Sequence, residues 1–321
     1  MVYVGVCAFL GGVDCVLCVV VLVSVDRGDE GYCYVARFRF CAVPLVSMSV
    51  PGMSSKVVKT VIYLVPELGI VRRLYESRDR VKPFAITPLF LDGKPLVGSN
   101  PIRVEKGSCL EFSISMAIRS PDDVADVQSI DRVVEVGPGK KLRVYLKELE
   151  IVSPDSLSIG LSLDRVVRIR FLSPALLSTK LMAPPLPHFL KRVSSIRERY
   201  VLYPSSAHIC CYLTKLWNKL FPHRPISRKV SPEWAAYFMG RLCEVAMIAI
   251  DYGTRPITVF WDVKRKPRGF VGWALYEIGD IGKKLVSKLD KLLALANYMG
   301  IGKSRSIGFG AVCVETVPKK E

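Results

Sequence analysis

Apolar and polar residues alternate from Tyr34 to Val43 (Tyr-Val-Ala-Arg-Phe-Arg-Phe-Cys-Ala-Val), which predicts a strand with Arg37 and Arg39 on one face. A helical pattern follows over Ser54–Val65. Ser54 stands at its cap position, Lys56 and Lys59 lie about one turn apart, and Pro66 closes it. Ile70–Tyr75 adds a helical turn. Lys82–Phe90, bracketed by Pro83 and Pro88, reads as extended, and Asp92-Gly93 as a turn. Ile102–Glu105 and Cys109–Ile118 read as strands around a Lys106-Gly107 turn, Pro121–Ile130 as a helix, and Lys141–Ile151 as a closing strand. Strand-helix-strand-strand-helix-strand is the ferredoxin-like order. Such sheets often serve RNA-recognition modules.

The pattern then begins again. Val166–Phe171 is a strand, Pro184-Pro185-Leu186-Pro187 an irregular crossing, and Ser206–Leu220 and Trp234–Ile248 are helices. Thr258–Val263 and Phe270–Tyr276 read as strands flanking a basic turn, Lys264 to Gly269. Lys283–Met299 keeps Leu285, Leu289, Leu292, Leu293 and Ala296 on one helical face, and Ala311–Val314 is a last strand. The prediction is an α+β protein of tandem ferredoxin-like (RRM-like) domains over 32–160 and 161–321, following an apolar extension over 1–31. No sequence repeat is visible between the two halves.

Between the last helix and the last strand lies Gly300-Ile301-Gly302-Lys303-Ser304-Arg305-Ser306-Ile307-Gly308-Phe309-Gly310. Glycines let ligand backbone come close, consecutive amides can form an anion-binding hollow, and Lys303 and Arg305 add charge. Gly300, Gly302, Ser304, Ser306, Gly308 and Gly310 join them as candidate phosphate contacts. Gly302-Lys303-Ser304 resembles the end of a nucleotide-binding P-loop. Asn297 stands where that motif needs its first glycine, and the helix precedes the loop where it should follow. The dinucleotide fingerprint fails at Arg305.

The 321 residues carry 46 Lys and Arg against 29 Asp and Glu, a formal charge of +17, which points to an anionic partner. Half the residues are hydrophobic, which excludes global disorder. Ten cysteines, two of them adjacent (Cys210 and Cys211), form no secreted framework; they read mostly as small buried hydrophobes in a reducing, cytoplasmic setting. Cys15-x-x-Cys18 has no second pair at zinc spacing, so no metal and no cofactor are expected. Met1–Val25 is nearly all apolar but lacks a positive start and holds Asp14. The readings are a signal peptide or membrane anchor, an extra strand or flexible, disordered extension, or non-native residues ahead of a later true start near Tyr34.

Four features in order resemble the Cas-six endoribonucleases, which process CRISPR precursor RNA. They are Lys82-Pro83-Phe84-Ala85-Ile86-Thr87-Pro88-Leu89-Phe90, Ile169-Arg170-Phe171-Leu172-Ser173-Pro174, Phe270-Val271-Gly272 and the glycine-rich loop. The similarity runs from about Tyr32 to Glu315. It implies tandem ferredoxin-like folds and a metal-independent cleavage within CRISPR repeats. The RNA's own 2′-hydroxyl attacks the adjacent phosphate, leaving 2′,3′-cyclic phosphate and 5′-hydroxyl ends. Many relatives place a catalytic histidine between the first helix and the Lys-Pro-Phe-like segment. Here the only histidines are His188, His208 and His223, none of them in that interval. Some archaeal members lack it too, and lysines and arginines take over.

The catalytic candidates are therefore Lys82, Lys59 and Lys56, with Tyr63 assisting; Tyr75, Arg78 and Arg80 lie near them in sequence. A lysine beside other cations can move protons; otherwise it supplies charge alone. Beyond the loop, Arg168, Arg170, Lys264, Arg265, Lys266 and Arg268 extend the candidate RNA path. Repeat RNA is the expected partner, with effector-complex subunits and a second copy of the chain as further candidates, and no membrane. The competing reading is a repeat-RNA-binding protein of the same fold that does not cleave.

Overall fold

The computed structural model describes residues 31–79, 81–262 and 266–319. The Met1–Val25 run, Cys15 and Cys18, Arg80, Lys264 and Arg265 lie outside them. The chain divides into two compact units. One extends to Ser156 and includes Ser306–Gly308; the other holds Leu157–Arg305 and the residues from Phe309 onward.

The first unit contains β1 (Tyr34–Pro44), β2 (Met48–Val50), α1 (Ser55–Leu64), α2 (Gly69–Glu76), β3 (Phe84–Ile86), β4 (Phe90–Leu91), β5 (Lys94–Pro95), β6 (Ile102–Val104), β7 (Leu110–Ile118), β8 (Asp131–Gly137) and β9 (Lys140–Val152). Its sheet runs β5-β4-β7-β1-β9-β8, with β3 also on β7. β1 is central because its alternation is real: Ala36, Phe38, Phe40 and Ala42 face a buried core, and Arg37 and Arg39 lie on the opposite face. The Phe40 and Phe112 rings stack at 5.0 Å. α1 buries Val57, Val58, Val61 and Ile62 in this core. Each contributes roughly 1.5–3 kcal/mol relative to exposure.

Several sequence expectations are corrected here. Ser54 sits at the helix cap without capping; its hydroxyl accepts from the Leu89 amide at 2.9 Å, tying the helix start to the Lys82–Phe90 segment. β6 does not form a hairpin with β7 but pairs with β2 in a small separate sheet. Pro121–Ser129 is a 3₁₀ helix, opened by Ser120 with Asp123 bonding back. β8 has no counterpart among the expected strands; it pairs with β9 through a turn that includes Gly139. Cys41 and Cys109 are joined as a disulfide, whereas the sequence pattern favours reduced thiols.

The second unit contains β10 (Arg165–Ala175), β11 (Leu177–Ser178), α3 (Pro187–Ser195), β12 (Tyr200–Val201), α4 (Ser206–Leu220), α5 (Pro232–Ala246), β13 (Met247–Thr258), β14 (Arg268–Ile278), α6 (Lys283–Met299) and β15 (Val312–Pro318). Its antiparallel sheet runs β13-β14-β10-β15. Numbered within the unit this is 2-3-1-4, and the first unit repeats it through β4-β7-β1-β9, with β5 and β8 added at the two edges and β3 also on β7. The protein is a tandem of ferredoxin-like folds. Two elements differ from expectation. The second long helix stops at Ala246, and residues 247–258 form the edge strand that the sequence pattern puts at Thr258–Val263. Pro187, in the proline run expected to be irregular, starts helix α3, where its fixed φ suits the first helical position.

Among the described residues no helix is long and apolar enough to cross a membrane.

Candidate functional site

In the first unit, α1 and α2 bring a lysine and two tyrosines together. Lys59 and Tyr63 are four residues apart on α1 and share a face. The Lys59 ammonium lies 4.9 Å from the centre of the Tyr75 ring and 5.9 Å from that of Tyr63. The two rings meet edge to face at 5.7 Å, and Tyr75 leans on Phe84 of β3 at 6.0 Å. Partial burial, with Glu76 nearby, holds the Tyr63 phenol above its ordinary pKa although Lys59 draws it down. Tyr63 therefore keeps its proton at neutral pH. Lys82 lies beyond α2, where its ammonium donates to the Ser77 carbonyl and to the Ser77 hydroxyl, the latter at 3.1 Å. Lys56 is half-buried in the first turn of α1, beside Ser55, whose hydroxyl donates to the Ile307 carbonyl at 2.7 Å. Ser306 and Gly308 flank that carbonyl in the same unit.

In the second unit the glycine-rich loop is bound down by its own backbone. Gly300 ends α6 in the left-handed region. The Ile301 amide donates to the Gly310 carbonyl at 2.8 Å, and the Gly310 amide to the Pro174 carbonyl at 3.0 Å. Gly310 has φ +68°, and a Cβ there would overlap the Ile301 carbonyl. Gly302 forms a parallel bridge with Leu176, and the Lys303 amide donates to the Leu176 carbonyl at 2.9 Å. Ser304 adopts φ +65°. The expected hollow of free amides is thus in part a set of internal bonds.

The loop's two cations part company. Lys303 is exposed and pairs with Glu198. Burial would raise the Glu198 carboxyl, but bonds from Lys303 and Ser178 bring it below its ordinary value. Arg305 is only 5% exposed and donates to the Met299 carbonyl at 2.9 Å, with its guanidinium 6.0 Å from the Tyr212 ring. It anchors the loop to α6 and α4. Phe309 is buried against Trp261, with ring centres 6.1 Å apart.

Arg168 and Arg170 stand on the exposed face of β10. Arg168 lies 3.5 Å from Glu315, and Arg170 donates to the Cys313 thiol at 3.3 Å. Lys266 lies over the Phe260 ring at 5.1 Å, and Arg268 is exposed at the start of β14. Of the histidines, His188 is exposed in the first turn of α3, and His208 packs at the start of α4 with Nδ1 2.8 Å from the Ser205 hydroxyl. Sequence reasoning missed Glu198 and Tyr212 as loop partners. Both are brought in by tertiary packing, Glu198 from 105 residues away.

Two family models match in tandem: the Cas6 N-terminal domain over residues 38–152, and the CRISPR-associated endoribonuclease Cas6 over residues 169–312. A curated relative from Saccharolobus solfataricus, CRISPR-associated endoribonuclease Cas6 2, is 30% identical over 290 residues, 87% of this chain and 95% of its own. The chain belongs to the Cas6 family. Its Cas6 1 counterpart from the same archaeon is 28% identical over 294 residues, covering 89% of this chain and 98% of the relative. Among solved structures, a Cas6 product complex superposes with a TM-score of 0.55 at 19% identity, covering 88% of this chain and 99% of that one. Thermus thermophilus Cas6 gives 0.54 at 16%, covering 90% and 100%. The Cas6 fold is thereby shown, and the family makes this chain a CRISPR-associated endoribonuclease.

Proposed function

We propose that this Cas6-family chain binds CRISPR repeat RNA in the cytoplasm and cleaves it without a metal, using the α1–α2 face of the first unit. The observation that carries this reading is the Lys59–Tyr63–Tyr75 cluster. It supplies a cation and a protonated phenol within one side-chain group, on the two helices that precede the Lys-Pro-Phe segment. Solved relatives include a Cas6 product complex and a Cas6 substrate-mimic complex, which supports RNA as the ligand.

In the proposed reaction the 2′-oxygen attacks phosphorus as its proton leaves to solvent. The P–O5′ bond breaks, and O5′ takes a proton. Lys59, with Lys56 on the turn before it, offsets the negative charge that builds on the phosphorane. Tyr63 hands its proton to O5′ and recovers one from water. Lys82, bonded to Ser77, fixes the segment after α2. Lys303 holds a backbone phosphate by exchanging its Glu198 partner for the RNA, and the backbone around Gly300, Gly302, Ser304, Ser306, Gly308 and Gly310 shapes the approach. Arg305 acts from beneath, as the anchor of that loop. Arg168, Arg170, Lys266 and Arg268, with Lys264 and Arg265 from the same basic turn, contact phosphates further along.

The test is incubation of labelled repeat RNA with the protein in EDTA, beside the same RNA carrying a 2′-deoxy at the cleavage position. Cleavage of the first alone, with a cyclic phosphate end, supports the reading. Cleavage of both, or of neither, overturns it.

A further inference from the structure

The exposed face of the second unit's sheet carries a feature that the backbone-phosphate contacts leave unused. Strand register puts Gly253 of β13, Trp273 of β14 and Arg170 of β10 in one row. A Cβ on Gly253 would come within 2.7 Å of the Trp273 indole nitrogen and 2.9 Å of the adjoining ring carbon. Trp273 therefore lies across the bare backbone of Gly253. One edge of the indole is seated on the sheet, and the residue remains 36% exposed. The next row places Arg168 beside Leu275. Arg168, Arg170, Ile250, Trp273 and Leu275 line a cavity of about 690 Å³.

A single exposed tryptophan is common on protein surfaces. This one is set apart by its surroundings. The pocket's lining is mostly apolar, with Arg168, Arg170 and Lys319 outnumbering the one carboxylate, Asp251, and it falls within the size range of small-ligand sites. On the matching face of the first unit the cations pair with carboxylates, Arg39 with Glu148 at 3.0 Å and Lys147 with Glu111 at 2.6 Å, and in the second unit Arg168 and Lys319 likewise pair with Glu315 and Glu277. Arg170 differs: it donates to a thiol, which a phosphate oxygen can displace more readily than a carboxylate.

We propose that this face is a stacking platform for an unpaired base of the repeat RNA. The base lies on Trp273, Arg170 holds a flanking phosphate, and Arg168 adds a second contact on releasing Glu315. Aromatic stacking tolerates any base, so the platform fixes the register of a single-stranded segment without reading its sequence. The proposal rests on repeat-RNA binding as put forward above.

The experiment measures repeat-RNA affinity for wild type, Trp273→Ala, Trp273→Leu, Trp273→Phe and Arg170→Gln. The RNAs are intact or carry one abasic site at successive positions. Trp273→Ala and Trp273→Leu should weaken binding roughly 5- to 100-fold, and Trp273→Phe by no more than about threefold. Leucine still covers Gly253, so its loss of affinity cannot be ascribed to an uncovered sheet. In wild type one or two abasic positions should reproduce the loss, and in Trp273→Leu those same positions should no longer matter. Arg170→Gln should reduce the slope of log affinity against log salt by about 0.7, one single-strand phosphate. Unchanged affinity in Trp273→Leu, or an abasic profile identical to wild type, overturns the platform while leaving RNA binding intact. Failure of wild type to bind any repeat RNA overturns the functional reading itself.

Discussion

Replacing Gly310 by alanine tests whether the glycine-rich loop is held by its backbone. At φ +68° an L-residue pays roughly 1–2 kcal/mol. The new Cβ would also overlap the Ile301 carbonyl oxygen and reach 2.9 Å from its carbon. Nothing flexible lies there to give way, so the two backbone segments must part. That breaks the Ile301-to-Gly310 bond of 2.8 Å and the Gly310-to-Pro174 bond of 3.0 Å, both in a buried setting. At roughly 0.5–1.5 kcal/mol each, these add ~1–3 kcal/mol. The expected loss is therefore ~2–5 kcal/mol, part of an ordinary domain's stability, so the protein still folds. Gly160 is the control: it has φ +69° with nothing within 4 Å of where a Cβ would stand, and Gly160→Ala should lose only the ~1–2 kcal/mol of backbone strain. Equilibrium urea unfolding of both variants, read at unchanged m-value, gives the difference. Equal losses at the two positions would refute the close-approach argument.

Lys59→Ala should slow single-turnover cleavage on the order of 10²-fold while repeat-RNA affinity changes little, as a lost charge contact at the reacting phosphate requires. Arg305→Met should destabilise by about 1.5–3 kcal/mol in a urea titration, because it removes a buried charged donor from the Met299 carbonyl. Asp290 accepts from the Ile159 and Leu161 amides, each at 3.0 Å, so Asp290→Ala should cost about 1–3 kcal/mol and raise amide exchange at both residues. Burial holds His208 below its ordinary pKa against the pull of Glu244. The unfolded chain then takes up the proton first, so this contribution is whole above about pH 6.5 and is lost as pH falls through the folded value. Melting temperature should accordingly fall less on acidification in His208→Gln than in wild type; parallel curves would contradict this.

Elements with long, single-minded patterns are legible in the sequence. Ser206–Leu220 and Lys283–Met299 match the observed helices residue for residue, because each keeps one face apolar over at least four turns. The start of β13 is hidden: Met247–Ile250 continues the apolar run of α5 without a breaker, and the exposed Ile248, Ile250 and Tyr252 look like core in one dimension. The loop is legible as a special backbone but not as a bonded one, since its partners Leu176 and Pro174 are set by tertiary placement. Arg305 illustrates the same limit. Flanked by serines, it reads as a solvent-facing cation, and only the fold shows its guanidinium turned inward. Trp273 gives no signal in one dimension because the reason for its position, Gly253, lies on another strand.

The edge strand β13 also bears on how this protein behaves when concentrated. Twelve residues of strand paired only with β14 among the described residues, with isoleucines and a tyrosine exposed, would by themselves recruit another chain into an extended sheet. Two irregularities interrupt that template: the register shift between Ala249 and Asp251, and Pro256, which has no amide proton to offer. The strand is thus divided into shorter runs, and this edge is a poorer template for another chain than its length alone suggests.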